Sequence, residues 1–175
     1  MKKYLWTLFA IILLAGTSCQ EKIDIEKEKE AIKAVIEEET NAFFDKDYDR
    51  FAASYVQNES NIRLDAGKGG YWHIVGWEEM DSTFKQIFEK YPEPGKHYQV
   101  KTNYKIQVYK ESAFAIFDNE LHNSEGDLTK TNIHVEFLEK VNGEWKIVYL
   151  SEIHTSSYEE EIEEGEGEPE TEETE

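Results

Sequence analysis

Two runs in which apolar and polar positions alternate flank Asn142-Gly143, within the stretch Thr131 to Ser157. Asn-Gly is the strongest short-range signal for a two-residue turn with both central residues at positive φ, so the pattern predicts a β-hairpin whose register follows from the turn. Counting outward sets Phe137 opposite Val148, Val135 opposite Leu150 and Ile133 opposite Glu152 on one face. On the other face it sets Glu136 opposite Tyr149 and His134 opposite Ser151. The first face is oily. The second combines Trp145, Ile147, Leu138 and Ile153 with His134, Glu136, Tyr149 and Ser151, the make-up of a mostly apolar pocket wall with a few polar groups.

Upstream the period changes. From Glu26 to Phe44, Ile32, Val35, Ile36, Phe43 and Phe44 recur at helical spacing, which predicts an amphipathic helix of about five turns. Asp45-Lys46-Asp47 stops it and caps a short second helix with Tyr48, Phe51, Ala52 and Tyr55 as its apolar stripe. Ile62 to Leu64 and Tyr71 to Val75 read as short strands around a glycine-rich loop. Trp77 to Tyr91 reads as a helix that Pro92-Glu93-Pro94-Gly95 ends. Tyr98 to Tyr109 and Ser112 to His122 read as long strands joined at Lys110-Glu111.

Composition then sets limits. The 175 residues carry a formal net charge of −19, which repels phosphate backbones and argues against nucleic-acid binding. Glu159 to Glu175 alone holds 11 glutamates and no base, so residues 159–175 are expected to be a disordered acidic tail. With both ends removed, roughly 130 residues remain, the size of one domain with one core.

Lys2 and Lys3 precede the apolar run Tyr4 to Leu14, and small residues lead into Cys19, the only cysteine. This is the layout of a secretory signal. Its ending, LLAGTSC, resembles the lipobox of bacterial lipoproteins, which implies a signal peptide over 1–18 and lipidation at Cys19. Residues 19–29 would then be a charged linker, and residues 30–158 the folded domain. Gln20 after the cysteine implies the outer membrane, with the protein lipid-anchored in the cell envelope.

The order helix, short helix, two small strands, helix and four long strands is carried by NAFFDKDYDRFAASYV (Asn41 to Val56), Val75-Gly76-Trp77-Glu78-Glu79 and NGEWKIVYLSEIHTS (Asn142 to Ser156). It resembles the nuclear transport factor 2-like superfamily in its SnoaL-like branch. The resemblance implies an α+β, cystatin-like cone, a curved antiparallel sheet wrapped around N-terminal helices. Related members include isomerases, dehydratases, cyclases, association domains and binding proteins without known activity, so the fold leaves the function open.

In catalytic members, as the resemblance implies, a carboxylate or histidine in the cone acts as base and a tyrosine or acid holds the developing charge. Asp118, Glu120 and His122 share one strand face, and His134 and Glu136 share one face of the next. If those faces coincide, Asp118, Glu120, His134, Glu136 and Tyr149 line one cavity, with Tyr48 and Trp72 or His73 arriving from the helical side and Ser151 beside them. Asp118 and His134 are the candidate bases, and Tyr48 and Tyr149 the candidate oxyanion partners. His122, His134 and Glu136 do not have a recognised metal-ligand spacing, and no metal or cofactor is assigned. Tyr71, Trp72 and Trp77 are expected to close the core at the wide end of the cone.

The reading this favours is non-catalytic binding of a small apolar or amphipathic molecule. An isomerase, dehydratase or cyclase and a homodimerising interaction module are the alternatives.

Overall fold

The computed structural model describes residues 23–154. Cys19, residues 1–18 expected as a signal and residues 159–175 expected as an acidic tail lie outside the described residues. Helix α1 (Ile25–Asp45) starts where the Asp24 side chain accepts from the Lys27 amide at 3.2 Å, with Glu26 and Glu28 in its first turn. It ends at Lys46, whose φ of 61° is left-handed. Asp47 follows as the N-cap of α2 (Tyr48–Ala53), its carboxylate accepting from Arg50 N at 3.1 Å, so three residues close one helix and open the next. A hairpin of β1 (Ile62–Gly67) and β2 (Gly70–Val75) precedes α3 (Trp77–Lys90). The long strands are β3 (Tyr98–Val108), β4 (Ser112–His122), β5 (Leu128–Val141) and β6 (Glu144–His154). No described helix is long and apolar enough to cross a membrane.

The six strands form one sheet in the order β2-β1-β6-β5-β4-β3. Neighbours are antiparallel except β1 and β6, which run parallel. The expected antiparallel sheet is therefore mixed. Ile32 and Ile36 of α1, Phe51 of α2 and Met80, Phe84 and Phe88 of α3 bury their side chains against Phe117, Leu138, Ile147 and Leu150 of the sheet. Phe51 and Phe84 stack at 4.7 Å between centroids.

The β5–β6 register holds as counted for four pairs from the turn, down to Leu138 opposite Ile147, and then slips by one residue. Val148 is the extra residue of a β-bulge, and beyond it Phe137 faces Tyr149, Glu136 faces Leu150, Val135 faces Ser151 and His134 faces Glu152. The cause is non-local. Ile147 N donates to Ser54 O at 2.8 Å and its carbonyl accepts from Val56 N at 2.9 Å, so the free edge of β6 is taken first by the exit of α2. From Tyr149 onward that edge is taken by β1, and Val148 sits between the two partners. A bulge reverses every later side chain. Tyr149 and Ser151 therefore join the face of Val135 and Phe137, while Leu150 and Glu152 join the inner face with Glu136 and His134.

The strand faces of β4 and β5 do not coincide as expected either. Phe117 lies opposite His134 and Asn119 opposite Asn132, whereas Asp118 pairs with Ile133 and Glu120 with Thr131. Asp118, Glu120 and His122 are thus on the outer face, where Asp118 accepts from Asn103 at 2.6 Å and Glu120 contacts His122 at 3.0 Å.

Candidate functional site

The register builds the inner wall as rows across the sheet. One row runs Trp72, Asp65, Glu152, His134, Phe117 from β2 to β4. The row nearer the rim places His154 beside Asn132 and Asn132 beside Asn119. The row deeper in places Arg63 beside Leu150 and Leu150 beside Glu136. Above the rim rows lies a cleft of about 690 Å³, lined by Phe43 and Phe44 of α1 and by Trp72, Gln99, Asn119 and Glu152 among others. A deeper chamber of about 200 Å³ shares Phe43, Arg63, Trp72 and Glu152 with it and reaches His134 and Glu39.

Arg63 anchors the floor. Its Nη2 donates to Glu152 Oε1 at 2.7 Å and its Nη1 to the Tyr55 hydroxyl at 3.3 Å, which donates in turn to Glu39 Oε1 at 2.6 Å. On its other oxygen Glu152 accepts from Asn132 Nδ2 at 3.2 Å, and Asn132 Oδ1 accepts from Asn119 Nδ2 at 2.8 Å. His134, only 3% exposed, lies between two carboxylates, 3.8 Å from Glu136 and 4.0 Å from Glu152, with its ring against Phe117. Both its ring nitrogens lack a hydrogen-bond partner, as do Asn119 Oδ1, Gln99 Oε1, Asp65 Oδ1 and Arg63 Nε. Buried polar atoms in native folds are nearly always satisfied, so this concentration sets the floor of the cleft apart from the rest of the interior.

The charges are tuned in opposite directions. Burial raises the Asp65 carboxyl, and the nearby Glu152 charge adds to the rise while Arg63 opposes it. Burial also acts on Glu152, but Arg63, His134 and Lys130 outweigh it and hold that carboxyl below its ordinary range. Glu136 is pushed up by burial, with His134 opposing. Tyr55 is pushed well up by burial and by Glu39, which keeps its hydroxyl a donor. The two neighbouring carboxyls are thus shifted apart, in the directions that distinguish an acid from a base.

A metal is a poorer fit. Ligand atoms of Asp65, Glu152 and His154 lie within 4.8 Å of one another. However, Arg63 contacts both carboxylates, at 3.7 Å and 2.7 Å, and Lys130 stands 4.0 Å from Glu152. These cations already supply the positive charge that an ion would bring.

Of the residues singled out in the sequence, His134 and Trp72 line the cleft or its deeper chamber, and Glu136 is buried beside His134. Asp118, Glu120, Tyr149, Ser151 and His73 fall on the other phase of their strands, His73 opposite Leu64. Tyr48 packs between Phe51 and Phe88 and gives its hydroxyl to Asp81, away from the cleft. Trp77 packs on the core as expected, but Tyr71 and Trp72 are exposed at the cleft instead of closing it. Reading the sequence missed Arg63, Asp65, Gln99, Asn119, Asn132 and Glu152. A signal was present for Asn119, which occupies the apolar phase set by Ala113, Ala115 and Phe117.

No known family profile matches the chain, and no curated protein matches it in sequence. Solved structures do resemble it. A cystatin-like protein of unknown function from Nostoc punctiforme PCC 73102 superposes with a TM-score of 0.59 at 16% identity, over 74% of this chain and 92% of that one. A nuclear transport factor 2-like protein of unknown function from Shewanella oneidensis MR-1 gives 0.55 at 19%, over 72% and 98%. A scytalone dehydratase-like protein from Novosphingobium aromaticivorans DSM 12444 gives 0.58 at 14%, over 73% and 84%. Residues 25–154 therefore adopt the cystatin-like, nuclear transport factor 2-like α+β cone.

Proposed function

We propose that this chain is a lipid-anchored envelope protein of the SnoaL-like kind that binds a small amphipathic molecule in its cone. The observation that carries the reading is the set of unpartnered buried polar atoms on the floor of a 690 Å³ cleft whose lip is aromatic. An apolar body packs against Phe43, Phe44 and Trp72, and a polar end meets Asn119, Gln99 and Arg63. A cone filled by its own side chains would have argued for an interaction module instead. The test is native mass spectrometry of the purified protein, followed by identification of what it releases. A stoichiometric small molecule that disappears in Trp72→Ala supports the reading, and a protein that is empty from every source overturns it.

A second reading, acid–base catalysis, is favoured by the opposed shifts of Asp65 and Glu152 beside His134. Asp65 would donate a proton, His134 or Glu152 would accept one, and Arg63 would hold developing negative charge. The roles first considered for Asp118, Tyr48 and Tyr149 pass to these residues. Such a site would carry out isomerisation, dehydration or cyclisation, and one of the structural neighbours is itself scytalone dehydratase-like. Loss of turnover in His134→Ala with ligand binding retained would separate catalysis from binding.

A further inference from the structure

The orientation of the cleft-floor amides is forced by chemistry. A carboxylate accepts and does not donate, so the Asn132 atom 3.2 Å from Glu152 Oε2 is its Nδ2. Asn132 Oδ1 then faces Asn119 and accepts from its Nδ2 at 2.8 Å. The chain ends at Asn119 Oδ1, a buried acceptor with no donor, in a residue 1% exposed that lines the cleft. Asp65 Oδ1 is a second such acceptor on the same wall, and the Gln99 amide, which can turn either its oxygen or its nitrogen to the cleft, is an adaptable third group. Only Arg63 Nε contributes an unpartnered donor whose type is fixed. The fixed groups of the floor therefore favour a ligand that donates hydrogen bonds at more than one point and accepts at fewer.

Charge narrows the class. An ammonium ligand would meet Arg63 and Lys130 in the same cleft, and a carboxylate or phosphate would meet Asp65 and Glu152. A wholly apolar ligand would leave the acceptors stranded and desolvated. A neutral ring bearing several hydroxyls escapes all three objections, since each hydroxyl donates once and accepts at need. Trp72 adds a flat apolar surface at the cleft lip, 45% exposed, with Phe43 and Phe44 also on the lining. A ring with polar edges and C–H faces uses both kinds of surface.

We infer that the polar end of the ligand is a neutral polyhydroxylated ring, a monosaccharide or cyclitol unit, held by Asn119, Asp65 and Gln99 and stacked on Trp72. The inference rests on the cleft being a small-molecule site, and the experiment separates the two claims. Ligand-observed NMR on the purified full-length protein compares methyl glycosides and myo-inositol with cyclohexanol, cyclohexylammonium and cyclohexanecarboxylate, which share ring size and differ in polarity. The expected result is binding of a hydroxylated ring, weakened at least tenfold in Trp72→Ala and in Asn119→Leu. Trp72 is half exposed on an edge strand, so its variant keeps the test valid should Asn119→Leu fail to fold. Binding of a charged or monohydroxy ring alone, lost in Trp72→Ala, would leave the cleft as a site and overturn the polyol class. Binding by no ring would overturn the polyol class, and an empty protein in native mass spectrometry would take the cleft reading with it. Polyol binding unchanged in both variants would place the site elsewhere and overturn the inference.

Discussion

Asn132 ties Glu152 to the neighbouring strand, donating from Nδ2 to Oε2 at 3.2 Å, and through that one contact it sets the direction of the Asn119 amide beyond it. Asn132→Asp would place two carboxylates face to face and remove the amide donor to Glu152 Oε2, while leaving an acceptor for Asn119 Nδ2. The expected cost is about 1–3 kcal/mol near neutral pH. It should shrink as pH falls and one carboxyl of the pair takes a proton. Urea melts at neutral pH and at about pH 4.5 would show it. No measurable cost at either pH would mean that the contact is dispensable.

Glu136 has the same direction of pH dependence, but here the substitution is expected to stabilise. Burial holds its carboxyl above the ordinary value of 4.5 in the folded protein, so the folded state binds this proton more tightly than the unfolded chain does. The contribution to stability is complete below the unfolded value and is withdrawn as pH rises through the folded one. Glu136→Gln is therefore expected to raise the melting temperature at neutral pH, roughly 4 °C for each kcal/mol recovered. The difference from the parent protein should vanish in acid. Calorimetry across that range is the check.

Trp145 and His134 separate packing from site. Trp145 is buried and donates from Nε1 to Glu28 Oε2 at 2.7 Å, fastening the hairpin to the first turn of α1. Its removal should cost about 3–5 kcal/mol, the range for emptying an aromatic core position. His134 leaves no hydrogen-bond partner stranded, and His134→Ala should cost about 1–2 kcal/mol, mostly its contact with Phe117. Equal losses in chemical denaturation would show that His134 is structural.

Local pattern was enough to find the helices, the strands and the Asn142-Gly143 turn, because caps, periods and turn residues all act within a few positions. It was not enough for the faces. The slip at Val148 is imposed by Ser54 and Val56, about 90 residues upstream, and no count along the hairpin senses them. One residue of slip moved Tyr149 and Ser151 outward and brought Glu152 in. Arg63 escaped notice for a different reason. Between Ile62 and Leu64 a lone arginine reads as a solvated edge charge, and only the parallel pairing with β6 gives it Glu152 as a partner.

The proposed anchor gives the simplest test. Cys19→Ser should shift the protein from the membrane fraction to the soluble one and abolish incorporation of labelled palmitate. Unchanged attachment and processing would remove the lipoprotein reading while leaving the cone untouched.

The parallel pairing of β1 with β6 also orders events during synthesis. Arg63 emerges from the ribosome 89 residues before Glu152, whereas the hairpins of β3 to β6 close over short loops as soon as they appear. Until the final strand is made, the β1–β2 arm has no sheet to join, and Arg63 and Asp65 remain in water. The walls of the cleft are thus completed last, because Arg63 and Glu152 can pair only once both have left the ribosome.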